Sequence, residues 1–160
     1  MLKIVNAVVE ELDKVIELFD KRISWMKDNN INQWNSRKYL EIYDYNYFLE
    51  LINNKELYIA YDEDTIVGSL AILKQANRWQ DSVPALYIHH FVSAIDVPNV
   101  GRELIDFVVS AAKDSNIDTV RLDCQKNNRE LNNYYVNKGF YYVDSFVEGD
   151  YIGNKYEMKI

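Results

Sequence analysis

Hydrophobic and polar positions follow two periods along this chain, and each change of period marks a new element. A short apolar run over residues 2–6 reads as a first strand. From Val9 onward, Leu12, Val15, Ile16, Phe19, Ile23 and Met26 keep helical spacing, while Glu10, Glu11 and Asp13 suit the positive end of a helix dipole. The polar stretch 27–36 predicts a loop that holds a Gln33-Trp34 pair. A second helical region is expected over 36–53, crowded with Tyr39, Tyr43, Tyr45 and Tyr47. Leu57–Tyr61 and Thr65–Leu73 read as two strands joined by Asp62-Glu63-Asp64, a hairpin pattern.

After a polar loop over 74–84, the apolar run Ala85–Ser93 predicts a buried strand. Pro98 and Asn99 punctuate a turn, and Val100, Leu104, Phe107, Val108 and Ala111 then form the apolar stripe of a helix reaching about Asn116. Thr119–Cys124 reads as a strand, and Asn127–Lys138 as a short helix stopped by Gly139. Tyr141–Val147 and Lys155–Ile160 are the last expected strands, around a turn from Gly149 to Gly153. The order β-α-α-β-β-β-α-β-α-β-β predicts an α/β (α+β) fold with a mixed central sheet and helices on both faces.

Composition narrows the field. A chain of 160 residues, 48% hydrophobic and 27% charged, is expected to form one soluble domain over 1–160. No apolar run approaches the ~20 residues of a membrane span. Met1-Leu2-Lys3-Ile4 leads directly into strand pattern, so no signal peptide is expected. The one cysteine, Cys124, excludes an internal disulfide and fits a reducing cytoplasm. A net charge of −7 argues against a general nucleic-acid binder, which needs a basic face.

The strand, turn and helix over 85–109 carry the first chemical signal. A helix N-terminus presents backbone N–H groups and the positive end of a dipole, which together suit a phosphate. Gly101 in the first turn lets a ligand approach the backbone closely. A more specific signal lies downstream in Leu122-Asp123-Cys124 and in Asn128-x-x-Leu131-Asn132-x-x-Tyr135-x-x-x-Gly139-Phe140. This pattern, with the element order, resembles the GNAT superfamily of acetyl-CoA-dependent N-acetyltransferases. Trp25-Met26-Lys27 and Gln33-Trp34 resemble a bacterial branch of it.

The resemblance implies that acetyl-CoA lies between the strands at 87–93 and 119–124. Its pantetheine arm would pair with Phe91, Val92 and Ser93. Its pyrophosphate would meet Asn99, Val100, Gly101 and Arg102, with Arg102 as cation and Asn128 on a ligand amide. A neutral amine would attack the thioester directly, with a strand N–H near Phe91 stabilising the oxyanion and Tyr135 serving the leaving thiolate. The base is left open: His89 and His90 alternate across a strand, so only one can face the cleft, with His89 the candidate, and a water relay to a carboxylate is equally compatible. Trp25, Gln33, Trp34 and Trp79 would wall the acceptor site or serve a homodimer contact. No metal is implied.

Without the family, Asn128 reads equally as a helix cap and Tyr135 as a half-buried aromatic. The phosphate turn also departs from the family pattern of Arg or Gln, two residues, Gly, one residue, Gly. Here it reads Asp96-Val97-Pro98-Asn99-Val100-Gly101 and runs about two residues short. Asn99 is the mildest substitute for glycine at positive φ, Pro98 removes a donor, and Asp96 repels phosphate unless it turns away. A non-catalytic CoA- or ligand-binding module is therefore the competing reading. A dinucleotide oxidoreductase lacks its glycine fingerprint here, and Cys124 reads as a buried structural thiol rather than an acyl carrier.

Overall fold

Apolar periodicity becomes burial along α1 (Leu12–Asp28), where Leu12, Val15, Leu18, Phe19 and Met26 turn inward. The computed structural model describes residues 1–36 and 38–160. Seven strands form one sheet in the order β1-β2-β3-β4-β5-β7-β6, flanked by helices. They are β1 (Lys3–Asn6), β2 (Leu57–Asp62), β3 (Thr65–Leu73), β4 (Leu86–Ser93), β5 (Thr119–Gln125), β6 (Tyr141–Glu148) and β7 (Tyr151–Lys159). Pairing is antiparallel for β1/β2, β2/β3, β5/β7 and β6/β7. β4 and β5 pair parallel at Leu86↔Val120 and Tyr87↔Arg121. The expected element order and mixed sheet are both present.

The chain divides into two compact units. The first comprises 1–72 and 89–107, the second 73–88 and 108–160. In the first, Phe19, Phe48, Leu57, Ile59, Leu70 and Val100 are fully buried. Gly68 of β3 is required by packing: an added Cβ would lie 2.6 Å from Val100 Cγ1 and 2.9 Å from Leu104 Cδ1. The missing side chain thus seats the start of α4 (Val100–Asp114) against the sheet. In the second unit, Val120, Leu122, Phe140 and Tyr156 are buried.

Two expected elements differ. The helix expected over 36–53 is a 3-10 turn (Trp34–Ser36) followed by α2 (Tyr39–Ile42) and α3 (Tyr45–Asn53). Arg37, inside that expected helix, lies outside the described residues. The break comes from Asp44, which is extended and whose carboxylate accepts the Tyr47 N–H at 3.0 Å, a helix N-cap. The last hairpin is tighter than expected. Its turn is Gly149-Asp150, with Gly149 at φ 62°, and Gly153 lies within β7 opposite Phe146. A Cβ at Gly153 would run into the Phe146 ring, so that glycine serves packing rather than the turn. Among the described residues, no helix is long and apolar enough to cross a membrane.

Candidate active site

In the first unit, β4 ends in an irregular stretch. His90 has φ 51°, a left-handed residue inside a strand. Its ring is held on both nitrogens, by the Tyr39 hydroxyl at Nδ1 and by the Tyr47 hydroxyl at Nε2, the latter at 2.7 Å. Tyr43 meets it edge-on at 4.6 Å and Phe48 at 5.6 Å. Burial, then the neighbouring Tyr43, pushes the Tyr47 hydroxyl up to about 12. His90 is thereby built into the aromatic wall of α2 and α3. His89 is half-buried beside it, with ring centroids 6.0 Å apart.

Beyond Ser93 the chain enters the turn, where the Ala94 N–H donates to the Val67 carbonyl at 2.7 Å. Asn99 sits at φ 66°, a conformation asparagine accepts more readily than most residues. Its carbonyl accepts the Glu103 N–H at 3.0 Å and so opens α4. Val100 is buried, Gly101 half-buried and Arg102 exposed, loosely opposite Asp106 at 3.8 Å. Arg22 of α1 reaches the end of β4, where its Nη2 donates to the Ser93 carbonyl at 2.6 Å and to Ser93 Oγ at 3.3 Å.

Trp25 lies on α1, with the Arg22 guanidinium 4.9 Å over its ring. Gln33 is buried, and its N–H donates to Asn35 Oδ1 at 3.0 Å. Trp34 stacks on Tyr39 at 4.7 Å and lies 5.2 Å from Phe19.

In the second unit, α5 (Arg129–Asn137) carries the other expected residues. Asn128 is its N-cap and accepts the Leu131 N–H at 3.1 Å. Tyr135 is buried beside Tyr134, Phe140 and Tyr156, with ring centroids at 5.5, 5.9 and 6.3 Å. Burial pushes its hydroxyl well above the ordinary tyrosine value, and nearby Cys124, Tyr134, Asp123 and Tyr151 add to the rise. That hydroxyl therefore stays protonated through any neutral assay and acts as a donor.

The loop 74–84 is held by two arginines. Arg78 Nη1 meets Asp123 at 2.9 Å and Arg78 Nε meets Glu148 at 2.8 Å. Arg121, almost fully buried, donates from Nε to Glu157 at 2.6 Å and from both terminal nitrogens to Asp81 at 2.8 and 3.0 Å. Trp79 is buried, with the Arg121 guanidinium 4.2 Å over its ring and the Lys155 ammonium at 5.4 Å. Its ring is thus a fastening of the loop.

The expected residues therefore fall into two sets, one in each unit. Three residues to which the sequence assigned no role of their own are prominent in the structure. Asn132, one turn after Asn128, donates to the Asn128 and Gln125 carbonyls at 2.7 and 3.0 Å and accepts from Tyr156 at 2.7 Å and Asn154 at 2.9 Å. It ties α5 to β5 and β7. The signal for Arg22 was its position three residues after Phe19, on the apolar stripe of α1. The signal for Arg121 was a lone cation in a buried strand.

Cys124 is buried, and burial first, then Asp123, pushes its thiol up to about 12. At pH 8 only about one thiol in ten thousand would be thiolate, against about one in four for an ordinary thiol. The folded protein is therefore expected to resist alkylation by iodoacetamide at pH 8, with rapid labelling only after unfolding in denaturant. Rapid stoichiometric labelling of the native protein would contradict the buried-thiol assignment. Among the described residues, no group of three or more His, Cys, Asp or Glu is arranged to hold a metal ion.

The fold thus combines a mixed seven-stranded sheet with a β4–turn–α4 segment and a capped α5. The model of the Acetyltransferase (GNAT) family matches residues 19–140, and the chain belongs to that family. Membership implies acetyl-CoA-dependent acyl transfer. Among solved structures, a GNAT-family acetyltransferase from Listeria monocytogenes is 20% identical, with TM-score 0.81 over 99% of this chain and 95% of that one. PaiA N-acetyltransferase from Thermoplasma acidophilum, solved in complex with coenzyme A, is 17% identical with TM-score 0.79, covering 100% and 99%. At these identities the likeness concerns the fold. No curated protein matches the chain significantly.

Proposed function

We propose that this protein is an N-acetyltransferase that moves the acetyl group of acetyl-CoA to a primary amine of a small molecule or peptide, by direct attack in a ternary complex. The observation that carries the reading is Tyr135: a buried hydroxyl, kept protonated, on an α5 whose N-cap is Asn128. The residues present suit acetyl-CoA. Asn99 holds the left-handed turn that a diphosphate needs for close backbone approach, and Gly101 adds no side chain there. Phe91, Val92 and Ser93 offer a strand end for the pantetheine amides, and Asn128 an amide for the same arm.

In the reaction, the nitrogen lone pair of a neutral amine attacks the thioester carbon, a C–N bond forms, the C–S bond breaks and the sulfur leaves as thiolate. Tyr135 donates a hydrogen bond to that sulfur. With its own pKa raised and a thiol near ~8.5, Tyr135 stabilises the thiolate without giving up its proton. A backbone N–H near Phe91 takes the oxyanion. His89, half-buried on β4, is our candidate for receiving the ammonium proton. Trp25, Gln33 and Trp34 form the proposed acceptor wall, while Trp79 is engaged by Arg121.

The test is thermal. Acetyl-CoA at about 100 times its Kd should add about 2.7 kcal/mol to stability, a rise in Tm of about 5–10 °C for a chain of this size. No rise at millimolar acetyl-CoA would remove the assignment. Asp96 supports a second reading, a non-catalytic CoA-binding module, for which the same rise would appear without turnover on any amine.

A further inference from the structure

The phosphate turn has a charge problem that its own residues do not solve. Between Ala94 and Gly101 the single charged residue is Asp96, an anion, and Arg102 just beyond is exposed and opposite Asp106. A nearby helix carries the opposite charge. Arg22, on the inward face of α1, is half-buried with its Nη2 on the last carbonyl of β4, immediately before the turn. No carboxylate among the described residues lies within ion-pair distance of it, and burial, the one shift it feels, lowers its pKa. A cation partly removed from water without an anion is costly, and a ligand anion relieves that cost. Its exposed neighbour Lys21 is already paired with Glu17 at 2.8 Å.

We propose that α1 completes the cofactor's phosphate site, with Arg22 binding the diphosphate of CoA. This rests on the acetyl-CoA reading and deepens it. Nη2 of Arg22 donates to Ser93, and the guanidinium charge held at the end of β4 is available to the diphosphate as a cation beside the turn. The cation lost from the turn's sequence is thereby supplied from a different element. A pattern search of the turn alone overlooks it.

The test measures affinity for acetyl-CoA and for dephospho-CoA by calorimetry in wild type, Arg22→Gln and Arg22→Lys. Arg22→Gln should weaken both ligands alike by about tenfold, because both keep the diphosphate. Arg22→Lys should lose no more than about threefold, since lysine retains the charge and binds phosphate as a point charge. Unchanged affinity in Arg22→Gln would overturn the proposal. So would equal losses in Arg22→Lys and Arg22→Gln, which would assign Arg22 to holding Ser93 rather than to phosphate. A loss for acetyl-CoA with none for dephospho-CoA would move the contact to the 3′-phosphate and overturn the diphosphate assignment. A wild type that binds neither ligand would overturn the acetyl-CoA reading itself, an outcome distinct from all of these.

Discussion

Replacing Tyr135 with phenylalanine is expected to lower kcat about a hundredfold while leaving the fold and the KM for acetyl-CoA nearly unchanged. Phenylalanine keeps the ring and its contacts with Tyr134, Phe140 and Tyr156, so the stability change should not exceed about 1 kcal/mol. The hydroxyl matters only as negative charge gathers on the leaving sulfur, so its loss belongs to kcat rather than to ground-state binding. A hydrogen-bond donor aimed at developing negative charge contributes on the order of a hundredfold or more. The pH profile supplies a second readout. Because burial raises the Tyr135 pKa, the alkaline side of the wild-type kcat profile should show no loss from Tyr135 below about pH 10, the ordinary tyrosine value. Single-turnover rates in wild type and Tyr135→Phe decide the matter, and equal rates would demote Tyr135 to a packing residue.

The largest stability effect is expected at Arg121. Its guanidinium joins Glu157, Asp81, Tyr87 and the Trp79 ring within the second unit. Removing one member of a buried pair leaves the other charge uncompensated, which costs about 3–5 kcal/mol. Arg121→Ala should therefore lower Tm by on the order of 10 °C. The pH dependence of the deficit is diagnostic. Burial alone would raise the Glu157 pKa, but the Tyr141 hydroxyl and Arg121 outweigh it and hold the carboxyl below the ordinary range. The wild-type contribution is thus fully present above an unfolded pKa near ~4.3 and is lost as pH falls through the depressed folded value. Without Arg121 only the Tyr141 hydroxyl and Lys159 oppose burial, so the folded pKa rises and less stability is lost on protonation. The difference in Tm between wild type and Arg121→Ala should consequently shrink between pH 7 and pH 4. A constant difference would mean that lost packing on Trp79, not charge, sets the cost.

Periodicity carried the fold because each long element buries a regular stripe: Leu12, Val15, Phe19 and Met26 on α1, and Val100, Leu104 and Val108 on α4. It failed where a single side chain breaks the period. Asp44 caps α3 and divides a stretch whose tyrosines keep helical spacing on either side. Gly153 looked like a turn glycine, and the reason for it, the Phe146 ring on the neighbouring strand, lies seven residues back. The candidate site was legible where it is local. Asn128 and Tyr135 share one short helix, and Asn99 precedes α4 directly. Arg22 lies 71 residues from the Ser93 it touches, and Arg121 lies 40 from Asp81. Such pairings are made by the fold, and no local spacing announces them.

The most direct measurement of the central claim is transfer of a labelled acetyl group. Purified protein, labelled acetyl-CoA and a panel of polyamines, amino acids and peptide amines would be followed by mass spectrometry, with rates measured while both substrates vary. The account predicts label on the nitrogen of at least one amine, stoichiometric CoA release, intersecting double-reciprocal lines and no acetyl-enzyme on Cys124. Tight acetyl-CoA binding with no labelled amine across the panel would contradict it, as would parallel lines with label retained on the protein.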